Sequence, residues 1–159
     1  FHPSRGAATQ MAHTYTRLLV HLVFATKGRT AIISPDLKPK LEGYMVGVLK
    51  NLNVYLHRLN SVADHTHLLI DLPATLALAD VVNKLKANSS RHMNEVLRGS
   101  KFGWQRGYGG FSISQSHVGM VVDYIKNQQE HHAKISLQEE LRRLLEKYDF
   151  VGDPEFIGE

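Results

Sequence analysis

The chain has 159 residues, no cysteine, and 19 Lys plus Arg against 15 Asp plus Glu. That length suits one ordinary domain with a sizeable core, and the lack of cysteine excludes a disulfide scaffold and thiolate metal sites. No apolar run approaches membrane-spanning length and no secretory signal pattern is present, so the sequence reads as a soluble cytoplasmic protein whose mild positive excess permits a polyanionic partner.

Phe1 to Gln10 has no hydrophobic period and precedes Met11, so it is expected to be an expression-tag remnant, leaving 11–159 as a single domain. Tyr15 to Phe24 alternates as a strand, with Leu18, Val20, Leu22 and Phe24 on one face and Arg17, Leu19, His21 and Val23 on the other. His21 is either a partly exposed strand histidine or a neighbour of the histidine pair described below. Lys27-Gly28-Arg29 is a turn. The prolines between Ser34 and Pro39 fit the first turn of a helix that buries Leu41, Tyr44, Met45, Val48 and Leu52.

Val54 to Leu59 is a second strand, and Val62 to Leu72, ended by Pro73, is a third. The third carries His65 and His67. Strand side chains alternate between faces, so these two imidazoles point the same way, close enough to share a divalent ion. Paired strand histidines are also common as plain surface residues, and the pair is at most half a site.

Thr75 is expected to cap a second helix running to about Leu97, with Leu78, Val81, Val82, Leu85 and Val96 inside and Gly99 as its stop. From Lys84 to Arg106 the basic residues Lys84, Lys86, Arg91, Arg98, Lys101 and Arg106 face one acid, Glu95. They form either a solvated helix face or contacts to a nucleic-acid backbone. Phe102, Trp104, Tyr108 and Phe111 punctuate the glycine-rich stretch that follows, which ends in a short fourth strand near Phe111 to Ser114. These aromatics could stack on unpaired bases, or Trp104 could be a core plug.

Val121 to His132 reads as one helix, with Val118, Val121, Val122 and Ile125 as its buried stripe. At about 100° per residue, Tyr124 lies roughly 110° from that stripe and is not needed for the core. Gln128 is one turn along on the same side, so its amide oxygen could join the histidines around an ion while the tyrosine oxygen sits beside it. Ser136-Leu137-Gln138-Glu139 is a capping box opening a last helix with Leu137, Leu141, Leu144, Leu145 and Tyr148 inside. Helices crossing over an antiparallel sheet in this order give an α+β, ferredoxin-like/RRM-like sandwich: a four-stranded antiparallel sheet with helices on one face plus a C-terminal tyrosine-bearing helix.

Four stretches, in this order, resemble the single-tyrosine HUH transposases of small insertion sequences that move as single-stranded DNA, and their REP-associated relatives. They are Asp64 to Ile70, Leu85 to Ser90, Trp104 to Tyr108, and Tyr124 to Gln128 followed by His131-His132. The family's bulky hydrophobe between the histidines is replaced here by Thr66, which still favours a strand and lies on the opposite face. The resemblance implies a DNA strand-transferase in which His65, His67 and Gln128 hold Mg²⁺ or Mn²⁺. Tyr124 attacks phosphorus to give a 5′-phosphotyrosine and a free 3′-hydroxyl.

The resemblance also implies hairpin recognition at element ends and a homodimer with active sites shared between protomers. A swing of the tyrosine helix about Gly107, Gly109, Gly110 and Gly119 would suit such sharing. Lys84, Lys86, Arg91, Arg106 and Tyr108 are the candidate DNA contacts. Two other readings are a catalytically silent hairpin-binding module and a metal-dependent nuclease that uses water. An intact His65, His67, Tyr124 and Gln128 set argues against silence.

Overall fold

The computed structural model describes residues 14–98 and 101–150; the stretch 1–10, Met11, Gly99 and the tail from Gly152 lie outside them. Four strands, β1 (Leu19–Ala25), β2 (Tyr55–Ser61), β3 (His65–Asp71) and β4 (Gly109–Ser112), form one antiparallel sheet in the order β2-β3-β1-β4. Helices α1 (Leu37–Asn51) and α2 (Leu78–Val96) are the two crossovers. This is the ferredoxin-like sandwich expected from the order of elements, because right-handed crossovers put both helices on the same side of the sheet.

Alternation along the two central strands divides the protein into two layers. Leu22 and Phe24 of β1 and Leu68 and Ile70 of β3 meet Leu41, Met45 and Leu49 of α1 and Val81, Val82, Leu85 and Met93 of α2 in the main core. Tyr44 and Val48 are only half-buried, because the inward stripe of α1 runs through Leu37, Leu41, Met45 and Leu49 at a strict four-residue spacing. On α2, Met93 takes the inward place expected of Val96, which is 38% exposed, and the helix starts from Ala77 rather than from a Thr75 cap.

Trp104 is a core plug. It packs edge-on against Phe24 and Phe102, with ring centroids 4.8 Å and 5.0 Å away, and its indole N–H donates to Ser89 Oγ at 2.9 Å. Phe102 and Phe111 are buried as well, so three of the four aromatics in this stretch serve packing rather than a base-stacking surface. Gly109 and Gly110 lie inside β4, opposite Val23 and Leu22, and not in a hinge. A Cβ on Gly109 would come within 2.8 Å of Val23 Cγ1, so close approach of the strands is what requires glycine there.

The other sheet face carries the remaining helices, α3 (Val118–Lys126), α4 (Gln128–His132) and α5 (Leu137–Lys147). The predicted single tyrosine helix is broken at Asn127, where the backbone reaches φ −96°, ψ 20°. A break leaves last-turn carbonyls without partners inside the helix. Asn60 of β2 supplies them: its Nδ2 donates to Ile125 O at 2.8 Å and Lys126 O at 3.2 Å, and to Gln129 Oε1 at 2.8 Å. Gln129 Nε2 returns a bond to Asn60 Oδ1 at 3.0 Å. Asn60 pairs with His67 across the β2–β3 ladder, so this one amide fixes the tyrosine segment over the histidine strand. Of the predicted stripe, Ile125 is fully buried while Val118, Val121 and Val122 are half-buried. Among the described residues no helix is long and apolar enough to cross a membrane.

Asn60→Ala should leave those carbonyls without a protein donor, lowering stability by about 1–3 kcal/mol. Urea denaturation would show the loss, and faster amide hydrogen exchange should appear over Ile125 to His132 before it appears in β1 or β3.

Candidate metal centre and nucleophile

His65 and His67 point to the face opposite the main core, as their spacing requires, and both are fully buried. Thr66 between them faces the other way and accepts a hydrogen bond from Ser61 Oγ at 3.0 Å. Each imidazole is oriented through its outer nitrogen. His65 Nδ1 lies 2.7 Å from Asp64 Oδ1, and His67 Nδ1 lies 2.9 Å from His21 Nε2. His21 is therefore a buried member of the site rather than an exposed strand histidine; it reaches His67 diagonally across the β1–β3 ladder, where Val23 is the direct partner.

The inner nitrogens converge on a carboxylate. Helix α5 buries Leu137 and Leu141 against Val23, Ala25 and Phe111, and this docking carries Glu140 under the sheet. Its N-cap is the predicted Ser136, which accepts from Glu139 N at 3.2 Å, while the Glu139 carboxylate accepts from Arg142 and Arg143 in place of the reciprocal bond of a capping box. Glu140 Oε1 lies 2.9 Å from His67 Nε2, 3.0 Å from His132 Nε2 and 3.5 Å from His65 Nε2. His65 Nε2 and His132 Nε2 are 3.0 Å apart, and His131 Nε2 is 3.1 Å from Glu140 Oε2.

These contacts dictate protonation. Burial alone would raise the Glu140 carboxyl, but hydrogen bonds from His132, His65 and His67 outweigh it and hold the group well below the usual carboxylate range. An ionised carboxylate only accepts, so His67 donates from Nε2, its Nδ1 accepts, and His21 donates from Nε2. Burial opposes charge on His65 too, yet the bonds to Asp64 and Glu140 raise its pKa; burial wins at His67, which is lowered.

Tyr124 joins the same carboxylate. Its hydroxyl donates to Glu140 Oε2, and its ring lies edge-on to His67 at 5.8 Å and to His21 at 5.9 Å. Burial, and then the charge of Glu140, push the phenol well above its ordinary range, so the resting tyrosine keeps its proton. One chain alone thus brings Tyr124 to its own histidines. Gln128 is buried, with Nε2 donating to Tyr124 O at 3.2 Å and Oε1 left without a hydrogen-bond partner. A cleft of about 210 Å³ opens beside Tyr124, lined also by His131, Glu140, Arg143, Leu144 and Lys147.

The residues present fit a divalent metal ion. One atom from each of His65, His67, His132 and Glu140 lies within 4.8 Å of the others, the outer nitrogen of His65 is held by a carboxylate as metal-binding imidazoles usually are, and a buried amide oxygen has no hydrogen-bond partner.

A family model described as "Transposase IS200 like" matches residues 14–128. The chain belongs to the IS200-like transposase family. It is 27% identical over 131 residues to the transposase for insertion sequence element IS200 of Salmonella typhimurium, and equally to that of Salmonella typhi, covering 79% of this chain and 86% of each relative. Two solved structures share the fold. One is described as a transposase of Deinococcus radiodurans (TM-score 0.60, 23% identity, 73% of this chain and 94% of that one). The other is a REP-associated tyrosine transposase bound to a REP hairpin (TM-score 0.59, 15% identity, 92% and 94%). Membership in a transposase family implies DNA cleavage and strand transfer as the reaction class.

The predicted DNA contacts fall elsewhere. Lys84, Arg91 and Arg106 are exposed, the first two on α2, across the sheet from Tyr124. Lys86 is turned inward: its ammonium donates to Gln105 O at 3.0 Å and to Gly107 O, and lies over the rings of Phe24 and half-buried Tyr108. Burial lowers its pKa from 10.5 to about 8. Lys86 and Tyr108 therefore shape the loop that carries Arg106. Sequence reasoning missed Glu140 and His132. The available signal was the position of Glu140 between Leu137, Leu141 and Leu144, an acid within an apolar helical stripe.

Burial, and then the charge on His67, lower the His21 pKa from 6.5 to about 3. Because the folded value is depressed, the unfolded chain takes up the proton first as pH falls, so His21 contributes nothing above about pH 7 and destabilises the fold by about 2 kcal/mol at pH 5. In EDTA, urea denaturation at pH 7.5 and pH 5 should show wild type losing about 2 kcal/mol more than His21→Asn over that interval. Parallel losses in the two proteins would refute the assignment.

Proposed function

We propose that this chain cleaves and rejoins single-stranded DNA at hairpin-marked element ends through a covalent link to Tyr124. The observation that carries the reading is the meeting of Tyr124, His65 and His67 at one buried carboxylate, in a chain whose family is transposase.

In this mechanism Tyr124 Oη attacks the scissile phosphorus. The bond from phosphorus to the 3′ oxygen breaks, leaving a 5′-phosphotyrosine and a free 3′-hydroxyl, and the same step reversed rejoins a strand. A tyrosine ester retains the bond energy that a water nucleophile would discard. The phenolic proton lies on a hydrogen bond to Glu140 Oε2, the atom that would receive it during attack. Arg143 and Lys147 flank the cleft at Tyr124 and supply positive charge where a phosphodiester would enter. A divalent ion, Mg²⁺ or Mn²⁺, held by His65, His67 and Gln128, would supply Lewis-acid polarisation of the phosphate. The orphaned Oε1 of Gln128 supports its place in that set.

Exposed Lys84, Arg91 and Arg106 would contact the DNA backbone, each adding to the salt dependence of binding. The hairpin partner is supported by the REP-hairpin complex of the structural neighbour. A homodimer belongs to the same proposal. The complete set of residues within one chain supports catalysis by a protomer's own tyrosine, while exchange of tyrosines between protomers is the arrangement the sequence resemblance implied.

Incubated with labelled single strands from its genomic flanks and Mn²⁺, the protein should form a covalent adduct, and the same sequence as a perfect duplex should not be cut. Tyr124→Phe should abolish the adduct with DNA binding nearly intact, and His65→Ala or His67→Ala should abolish it too. A full-strength adduct in Tyr124→Phe would remove the tyrosine from the chemistry; equal cutting of duplex would point to a generic water-using nuclease.

Mixing Tyr124→Phe protomers with His65→Ala/His67→Ala protomers settles the arrangement. Recovery of cleavage after verified subunit exchange marks shared sites. No recovery marks sites built within one chain.

A further inference from the structure

The match to the family model ends at residue 128, yet two of the four groups that converge at the site, His132 and Glu140, come after it. We propose that His132 and Glu140 are metal ligands alongside His65 and His67, and that this centre selects a transition metal such as Mn²⁺ or Co²⁺ over Mg²⁺. The inference rests on reading the site as a metal centre and is independent of whether Tyr124 forms a DNA adduct.

Spacing is the first argument. For metal bonds of about 2.1 Å, the edges between neighbouring ligands of a four-coordinate site are about 3.4 Å. Four of the six edges here are 2.9 Å, 3.0 Å and 3.5 Å from Glu140 Oε1 to the three histidines and 3.0 Å between His65 and His132, and the other two are within 4.8 Å. Three of these are hydrogen-bond distances, a few tenths of an ångström inside the coordination edge, so side chains from a strand and from two helices need part only slightly to admit an ion.

Burial is the second. His65, His67 and Glu140 are essentially inaccessible, and the His132 side chain is 13% exposed. A buried carboxylate among imidazoles is costly unless charge and hydrogen bonds compensate it, and a bound cation does both. Asp64 holds the outer nitrogen of His65, the arrangement that orients an imidazole toward an ion, and His21 would take the same part for His67 once the His67 proton moves from Nε2 to Nδ1.

Ligand chemistry sets the ion. Three imidazoles and one carboxylate suit borderline divalent transition metals, whereas Mg²⁺ takes oxygen ligands and keeps much of its water. One consequence concerns the nucleophile. Glu140 offers Oε1 to the metal group while Oε2 accepts from Tyr124, so the same carboxylate would join the ion to the atom that takes the tyrosine's proton.

The test is metal binding by the full chain stripped with EDTA, read by calorimetry and by X-ray absorption of the Co²⁺-loaded protein. Mn²⁺ and Co²⁺ should bind, Mg²⁺ in large excess should fail to displace them, and the absorption spectrum should count three imidazoles. Glu140→Gln and His132→Ala should each weaken Mn²⁺ binding about tenfold or more. Circular dichroism in EDTA checks that the variants fold, and the imidazole count on wild type needs no variant. Two imidazoles, unchanged affinity in both folded variants, or equal binding of Mg²⁺ would overturn the proposal. Metal binding as expected without any DNA adduct would leave this ligand set standing and sink the strand-transfer reading instead.

Discussion

The structure depends on one buried negative charge. Glu140 is 1% exposed and sits beneath a β-sheet, where an unpaired carboxylate would cost several kcal/mol. It is tolerated because histidines from β3 and from α4 and the segment's own tyrosine all turn toward it. The dependence runs both ways. Without Glu140, three imidazole nitrogens would crowd one another with no acceptor, and without the histidines α5 could not bring its acid under the sheet. The apolar contacts of Leu137 and Leu141 with Val23, Ala25 and Phe111 hold the two halves of this arrangement together.

The sheet divides the work between its faces. Leu68 and Ile70 build the main core, while His65 and His67, one residue out of phase, build the site. Because the strand period is two, a one-residue slip of β3 would put histidines in the core and leucines at the site, so core packing enforces the register of the histidine face. The break at Asn127 serves the same end. It frees two carbonyls that Asn60 binds, tying the tyrosine segment to the strand beside His67.

Much of this was legible in the sequence. Two-residue alternation in β1 and β3, the N-cap at Ser136 and the order of elements give the fold, and the spacing of His65 and His67 gives half the site. The rest depended on tertiary contacts that local patterns do not carry. The inward turn of Lys86 follows from the path of the loop at Gln105 and Gly107, the buried role of Trp104 from its bond to Ser89, and the burial of His21 from a diagonal contact across the ladder. Periodicity also overstated the tyrosine helix, because a side-chain cap from 65 residues away can end a helix that its own sequence would continue. Glu140 was hidden for the opposite reason: beside Glu139 it reads as half of an exposed acidic pair, and only its position within a leucine stripe distinguishes it.

The separation in sequence between His67 and Glu140 is 73 residues. All four strands precede α5, so a chain emerging from the ribosome has the complete sheet, and both strand histidines, before the acid that gathers them exists. The cluster is therefore assembled last. A chain ending between His132 and Leu137 would carry all four strands, both strand histidines and Tyr124 without the acid on which they meet, so the assembly of the cluster turns on a single loop.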